Sequence, residues 1–536
     1  MNSQSYRLAS TGQPFQLGTR AQHAAAIAQV LIADQNRALA DGDELRTSAG
    51  EIGRLLGIEP SGQRGVGGLL RKLSEKGLVL RKSNQSRRTP AALRWQAFGS
   101  FLGIVIVPEQ KKVYAALTDI CGNVHQVSTG SGRRTRTRFI YEKSCEPAFT
   151  RLFDNFEERR LNIYSGVAGV ELGAARDEFR QAVKREYYLA FKWALSTLRE
   201  CDWDTVPVVD FSPAPSPGFE IVEKAAVGGA DARSELMGIG IAVEGLIDSG
   251  SGTVRRSLNY DIGEDFHLRD ELIEYLRIND LIFKWPIVVE NEVNSLARLV
   301  QLEGLASERL KFGFADFDEK DNILILKLRD GLGGAILSGR DLLLGQHRSA
   351  GEVGHLAVEY NDGPGNGPVE LGARRCRCGR EGCGESVVQD RPLLDDFNAR
   401  YGGYNAPLLP RPPEIDRSIG GDIPAWLVSM QQSESEPAKM ASTGTLERAG
   451  RALGRAVSYI YSMLDPAEII VFGSSLCRSE VFCGAVTFHS ESNRYPMLNN
   501  PSIRYVEFKD RYVAQGAACA AIQEYLASRV SPWANW

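Results

Sequence analysis

The sequence predicts a mixed α/β protein of several structural units, headed by a small basic helical module. Three observations predict it. The chain has 536 residues, more than one hydrophobic core organises, so about three units are expected. Its charge is unevenly spread: Ser61 to Ser100 holds nine Lys or Arg against Glu75 alone, a local +8 that leaves −12 on the other 496 residues. Beyond Phe98, strand-like apolar runs (Phe101 to Val107, Lys112 to Leu117) are followed by segments of helical period (Ala174 to Arg199, Leu446 to Leu464).

The basic stretch belongs to a compact pattern. After a polar tail, 1–18, a helix from about Thr19 to Ala40 places Ile27, Val30 and Leu31 on one face. Thr47 is a good cap for a second helix that turns Ile52, Leu55 and Leu56 inward and ends near Gly57. A third helix, from about Ser61 to Lys76, buries Val66, Leu69, Leu70 and Leu73. Gly77 to Leu80 then turns into a strand, and Arg81 to Thr89 forms a basic loop. Helix, tight turn, helix and β-ribbon is the order of a winged helix-turn-helix, which makes residues 19–97 a DNA-binding domain and double-stranded DNA its partner. Ser61, Gln63 and Arg64 would face base edges, Arg71 and Lys72 phosphates, and Lys82, Arg87 and Arg88 of the wing the backbone or minor groove. The module is rich in glycine (Gly62, Gly65, Gly67, Gly68), and three of these weaken such a helix, so its start is expected to lie later than Ser61. The alternative is a protein-interaction module with a solvated basic face.

The apolar content of 43% and charged content of 24% are those of a soluble globular chain. No run of about 18 apolar residues exists, so neither a transmembrane helix nor a membrane partner is expected. Met1 to Gly18 lacks the apolar core of a signal peptide, which implies a cytoplasmic protein. Six of the nine cysteines (Cys121, Cys145, Cys201, Cys477, Cys483, Cys519) are scattered and read as reduced thiols.

The other three are concentrated. Cys376, Cys378 and Cys383 lie in Cys-Arg-Cys-Gly-Arg-Glu-Gly-Cys, with His355 upstream in Gly-Glu-Val-Gly-His. Three cysteines and a histidine match the ligand set of a closed structural Zn2+ site, and the glycines let a short loop bring both ends to one ion. The alternative is a Gly-rich turn with free thiols. This segment, with Glu352, His355, Cys376, Cys378, Cys383 and Glu385 in order, resembles the signature of the ROK family, which joins sugar kinases and sugar-responsive repressors such as those of the N-acetylglucosamine and xylose type. The resemblance implies a two-lobed, ribonuclease-H-like (actin/hexokinase-type) body behind the winged helix, with structural zinc. It implies that the histidine and two glutamates also line a sugar pocket. It covers about Gly238 to Gln389 well and the rest more loosely.

Against the family's kinases, the phosphate loops are missing or eroded. Where an Asp-x-Gly-Gly-Thr loop is expected, the chain reads Val107-Pro108-Glu109-Gln110-Lys111-Lys112. Without glycines the backbone cannot wrap a phosphate, and Glu109 repels one. In the second loop Arg329 and Asp330 replace a Gly and a Thr, and at the adenosine turn Ser474 replaces a second Gly. The sugar-site residues fare better. The resemblance places Asn259, Asn291, Glu292, Glu352, His355 and Glu385 at the effector, with Glu292 at the position of the kinase general base. Glu292 is one methylene longer than the Asp expected there, and misplacing a base by about 1 Å can cost on the order of a hundredfold. Taken singly, each of these residues is better explained as a cap or a loop polar group; together, in family order, they favour a pocket.

Two stretches are unusual. The helix from Ala174 to Arg199 carries Phe179, Val183, Tyr187, Ala190, Phe191, Ala194 and Leu198 on one side, a core helix by preference over a partner-binding one. Arg133, Arg134, Arg136 and Arg138 read as a solvated strand edge, and Gly402 to Gly444 as a loop. The expected divisions are a tail at 1–18, the winged helix at 19–97, a first lobe at 98–290, a second at 291–470 with zinc and sugar sites, and a C-terminal part at 471–536 returning to the body. The expected function is a sugar-responsive repressor, not an enzyme, acting as a homodimer or homotetramer on a palindromic operator. A sugar that closes the lobes would change the spacing of the winged helices. The rivals are an active ATP-dependent sugar kinase with an added DNA module, and a ligand-independent DNA-binding dimer.

Overall fold

The computed structural model describes residues 27–35, 48–55, 63–75, 78–81, 91–93, 98–125, 139–164, 172–201, 203, 232–257, 262–302, 322–329, 331–339, 341–359, 374–403, 422–493, 495 and 502–528. The N-terminal module has α1 (27–35), α2 (Ala49–Leu55), α3 (Gln63–Glu75) and an antiparallel ribbon of β1 (Val79–Arg81) and β2 (Ala91–Leu93). Val66, Leu70 and Leu73 recur at helical spacing and seal the inner face of α3, while Arg71 and Lys72 are exposed. Two details differ from expectation. The α2 cap is Ser48, whose Oγ accepts the Glu51 N–H at 3.3 Å, one residue beyond Thr47. Leu69 is only half-buried.

Next comes a sheet of β3 (Ser100–Val107), β4 (Lys112–Thr118), β5 (Ile140–Ser144), β6 (Leu236–Val243) and β9 (Ile287–Asn291), in the order β5-β4-β3-β6-β9. Strand β3 is buried along its whole length, which explains its unbroken apolar run. It pairs antiparallel with β4 and parallel with β6. Helices α4 (Pro147–Tyr164), α5 (Leu172–Glu200), α6 (Leu268–Ile278) and α7 (Glu292–Gln301) and a small hairpin, β7 (Leu246–Asp248) with β8 (Thr253–Arg256), complete this part. All seven apolar residues singled out on α5 lie in the core, so α5 is a core helix.

A second sheet repeats the plan: β10 (Asn322–Leu328), β11 (Leu332–Ser338), β12 (Asp341–Leu342), β13 (Glu468–Gly473) and β14 (Ile503–Glu507), in the order β12-β11-β10-β13-β14. Each sheet thus follows strand order 3-2-1-4-5 with the second strand antiparallel, as expected for a ribonuclease-H-like lobe. Around the second sheet run α8 (Glu385–Val388), α9 (Asp390–Gly403), α10 (Ile423–Met430), α11 (Glu436–Leu464) and α12 (Glu480–Ser492). The expected loop over Gly402 to Gly444 is therefore helical in its second half. Asp422 caps α10, prolines sit in the first turns of α10 and α11, and Ala438, Ala441 and Thr445 bury a face of α11. Residues 404–421 lie outside the described residues, as do the four arginines from Arg133 to Arg138.

The last helix, α13 (Asp510–Ala527), packs on the first sheet. A Cβ at Gly103 or Gly240 would collide with the Ala514 or Ala517 carbonyl, so these glycines let the helix backbone lie on the strands. Gly516 likewise meets the backbone of Ser295 on α7. This packing corrects the expected divisions at 290/291 and 470/471. The first compact unit is Met1–Pro108, Lys112–Glu319 and Asp510–Trp536, and the second is Glu109–Lys111 and Lys320–Lys509. Among the described residues, no helix is long and apolar enough to cross a membrane.

Candidate metal centre

In unit two, His355 ends one turn of 3-10 helix (Val353–His355), and the cysteines lie in the loop before α8. The loop closes by Cys376 N–H to Arg380 O at 2.7 Å and Gly379 N–H to Cys376 O at 2.9 Å. Gly379 and Gly382 have φ of +91° and +75°, which only glycine adopts readily. A bridge between Ala357 and Cys383 joins the histidine segment to the end of the loop.

The ligand atoms of His355, Cys376, Cys378 and Cys383 all lie within 4.8 Å of one another. His355 Nδ1 is 3.6 Å from Cys376 Sγ, and Cys378 Sγ is 3.6 Å from Cys383 Sγ. A tetrahedron with ~2.3 Å metal–sulfur bonds has sulfur–sulfur edges of about 3.8 Å, so zinc fits this donor set. Burial opposes ionisation of the Cys378 thiol, but hydrogen bonds from the Arg380 backbone and side chain and from Cys376 and Cys383 bring its pKa down to about 7. Arg380 also donates to His355 O at 2.7 Å, so one cation braces both halves of the cluster. With Nδ1 toward the sulfurs, His355 Nε2 faces Glu352 Oε2 at 3.9 Å. Glu385 opens α8, and its carboxylate oxygen lies 3.0 Å from where a Cβ at Gly331 would stand. Glu352, His355 and Glu385 therefore belong to one unit and adjoin the metal cluster or the β10–β11 turn.

The remaining effector candidates belong to unit one. Asn291 caps α7: its Oδ1 accepts Val293 N–H at 2.8 Å and Asn294 N–H at 3.3 Å, and its Nδ2 donates to Gly245 O at 2.8 Å. Glu290, buried, accepts from Ser249 Oγ, the Asn291 N–H and Asn294 Nδ2 at 2.9, 3.0 and 3.2 Å. Glu292 is also buried, and its charge adds to burial in raising the Tyr187 hydroxyl pKa. Asn259 and Asp330 lie outside the described residues, as do Ser61, Lys82, Arg87 and Arg88. Gln63 and Arg64 open α3.

The two phosphate-loop positions are tight turns. Between β3 and β4 the chain makes one 3-10 turn, Pro108–Gln110, and Lys111 closes it at φ +53°. Between β10 and β11, the Arg329 N–H bonds Gly331 O at 3.1 Å. Sequence reasoning missed Glu359, Arg448 and Arg455. Arg448 holds Glu359 by two hydrogen bonds of 2.5 and 2.7 Å, and Arg455 holds Val358 O at 2.8 Å. The available signal was two arginines seven apart, each followed by an alanine, on one face of a helix.

The family model described as the ROK family matches residues 220–524. The chain belongs to the ROK family. Among its relatives, a glucokinase of Halalkalibacterium halodurans is 29% identical over 280 residues, 52% of this chain and 74% of that one. A xylose repressor of Caldicellulosiruptor bescii is 23% identical over 314 residues, 58% and 68% of the two chains. The DNA-binding transcriptional dual regulator NagC of Escherichia coli is 25% identical over 253 residues, 47% of this chain and 52% of its own. A solved ROK transcriptional regulator, a homologue of the E. coli MLC protein, shares the fold at TM-score 0.54 and 15% identity, covering 95% of this chain and 96% of that one. Both repressors and kinases of the family are thus similar to this chain.

Proposed function

We propose that the chain is a sugar-responsive DNA-binding transcription regulator, a repressor, whose kinase-like body binds a sugar or sugar derivative without phosphorylating it. The observation that carries this reading is the basic module ahead of the ROK body: α2, α3 with Arg71 and Lys72 exposed, then an antiparallel ribbon. This is the element order of a winged helix-turn-helix. Arg64, with Ser61 and Gln63, is assigned to base edges, and Arg71, Lys72, Lys82, Arg87 and Arg88 to the DNA backbone. Effector recognition is assigned to amide, carboxylate and imidazole groups: Asn259, Asn291, Glu292, Glu352, His355 and Glu385. His355, Cys376, Cys378 and Cys383 hold a structural zinc. A homodimer on a palindromic operator follows from matching two-fold symmetry.

An ATP-dependent sugar kinase is the second reading, favoured by the glucokinase relative. The tight β3–β4 turn, carrying Glu109 in place of glycines, argues against it because it offers a phosphate no backbone cradle. Incubation with ATP and a panel of hexoses separates the two. No phosphorylation is expected. Turnover that Glu292→Gln abolishes would establish the kinase instead.

A further inference from the structure

The metal ligands come from two segments, and something must hold those segments in register. His355 is followed by Leu356, Ala357, Val358 and Glu359, and this short extended stretch runs beside the end of the cysteine loop. Ala357 bridges Cys383. Val358 and Glu359 N–H groups both donate to Gly382 O, at 2.8 and 3.1 Å, and the Gly384 N–H donates to Leu356 O at 3.0 Å. A shift of this stretch along the loop would separate the imidazole from the Cys383 thiolate.

The outer side of the stretch is fixed by one helix. Arg448 and Arg455 lie seven residues, about two turns, apart on α11 and so share a face. Arg448 grips the Glu359 carboxylate with both arms of its fork, the two side chains being 7% and 14% exposed. Arg455 donates to the Val358 carbonyl at 2.8 Å. Ala452 and Ala456 of the same helix form a small apolar cluster with Val358 and Val387, and their short side chains let the stretch lie close to the helix. Arg448 is itself oriented by Asp396, 2.8 Å away, which Arg400 and Thr445 also hold at 2.7 Å. The fork thus stands in a buried, satisfied polar network rather than on a free surface.

We propose that Arg448 and Arg455 are positioning residues for the zinc site, fixing the Leu356–Glu359 stretch on α11 so that His355 meets the three cysteines. The proposal rests on the cluster being a zinc site. Partners that orient metal ligands typically contribute 10–100-fold in metal affinity, and the same order is expected here.

The test compares zinc-loaded and chelator-stripped full-length protein, with and without Glu359→Gln and Arg455→Met. Melting temperature is followed, and zinc release to 4-(2-pyridylazo)resorcinol is timed well below melting. Each variant should shrink the zinc-dependent gain in melting temperature and speed zinc release at least about tenfold. Arg391→Ala removes an exposed pair with Asp395 on α9 and should change neither. If Glu359→Gln does not fold, Arg455→Met decides alone. Variants that lower both melting temperatures equally and release zinc at the wild-type rate would make the arginines merely structural and overturn the proposal. A wild type with no zinc-dependent gain would instead remove the zinc reading, and the proposal with it.

Discussion

At the start of α7 in unit one, polar side chains are consumed by the chain itself. Asn291 caps the helix and ties it to Gly245, and Glu290 accepts from three neighbours. In unit two, the polar side chains around His355 turn toward one another, with four ligand atoms inside 4.8 Å. Burial raises the pKa of the Cys376 and Cys383 thiols, so the three sulfurs become thiolates together only when a cation joins them. Both groups are polar residues gathered at a turn and look alike in sequence. One is satisfied by its own fold, and the other asks for a partner. The difference teaches that a motif residue signals a ligand most clearly where several donor atoms converge on one point instead of capping a helix.

The largest effect should come from breaking the unit that asks for a partner. Cys378→Ser removes a ligand, and zinc content and stability should fall together, by on the order of 4–5 kcal/mol, as followed by metal analysis and urea unfolding. Loss of stability in a variant that keeps one zinc per chain would mean the cluster is packing, not coordination.

Unit one has an exception to its self-sufficiency. Asp119 is buried, and although its Oδ1 accepts the Cys121 and Asn123 N–H groups at 2.8 and 3.0 Å, burial raises its pKa from 3.8 to about 7. The folded state therefore holds this proton more tightly than the unfolded chain. Its contribution to stability is full below about pH 4 and is lost as pH rises through about 7. Asp119→Asn keeps the acceptor and removes the titration, so the variant should gain on the wild type between pH 5 and pH 8 in chemical denaturation. A pH-independent difference would show that the carboxylate is ionised throughout.

A smaller loss is expected where unit one is satisfied. Asn291→Ala deletes a cap and the bond to Gly245 O and should cost about 1–2 kcal/mol by denaturant midpoint. A cost near zero would free Asn291 from its structural role and sharpen its claim as an effector ligand. The smallest effect has the opposite sign. A Cβ at Gly67 of α3 would meet nothing within 4 Å, so Gly67→Ala should raise stability by about 0.5–1 kcal/mol in thermal unfolding. Destabilisation would show that a neighbour outside the described residues fills that space.

Much of this was legible because it is local. The cysteine spacing with its glycines, the unbroken run of β3 and the helical period of α5 each depend on residues close in the chain. What escaped is tertiary. Glu359 pairs with Arg448 across 89 positions, and no periodicity announces an ion pair at that separation. The first turns of α11 hid among Ser, Glu and Pro, which read as loop, because their buried face is small (Ala438, Ala441) rather than strongly apolar. Asn291 illustrates the remaining ambiguity, since an asparagine before a helix serves equally well as cap and as ligand. The return of the C-terminal part to the body was expected, but its start at Asp510 rather than 471, and the lobe boundary near 320 rather than 291, depend on packing that no local pattern marks.

The most direct test of the central claim is DNA binding by the intact protein. Repeated selection from a random duplex library, followed by fluorescence anisotropy of the enriched sequence against a panel of sugars, reads both halves of the function at once. An inverted repeat should emerge, with an affinity that at least one sugar shifts about 5–150-fold, the range of typical allosteric coupling. Enrichment of no sequence by a protein that phosphorylates a hexose with ATP would contradict it.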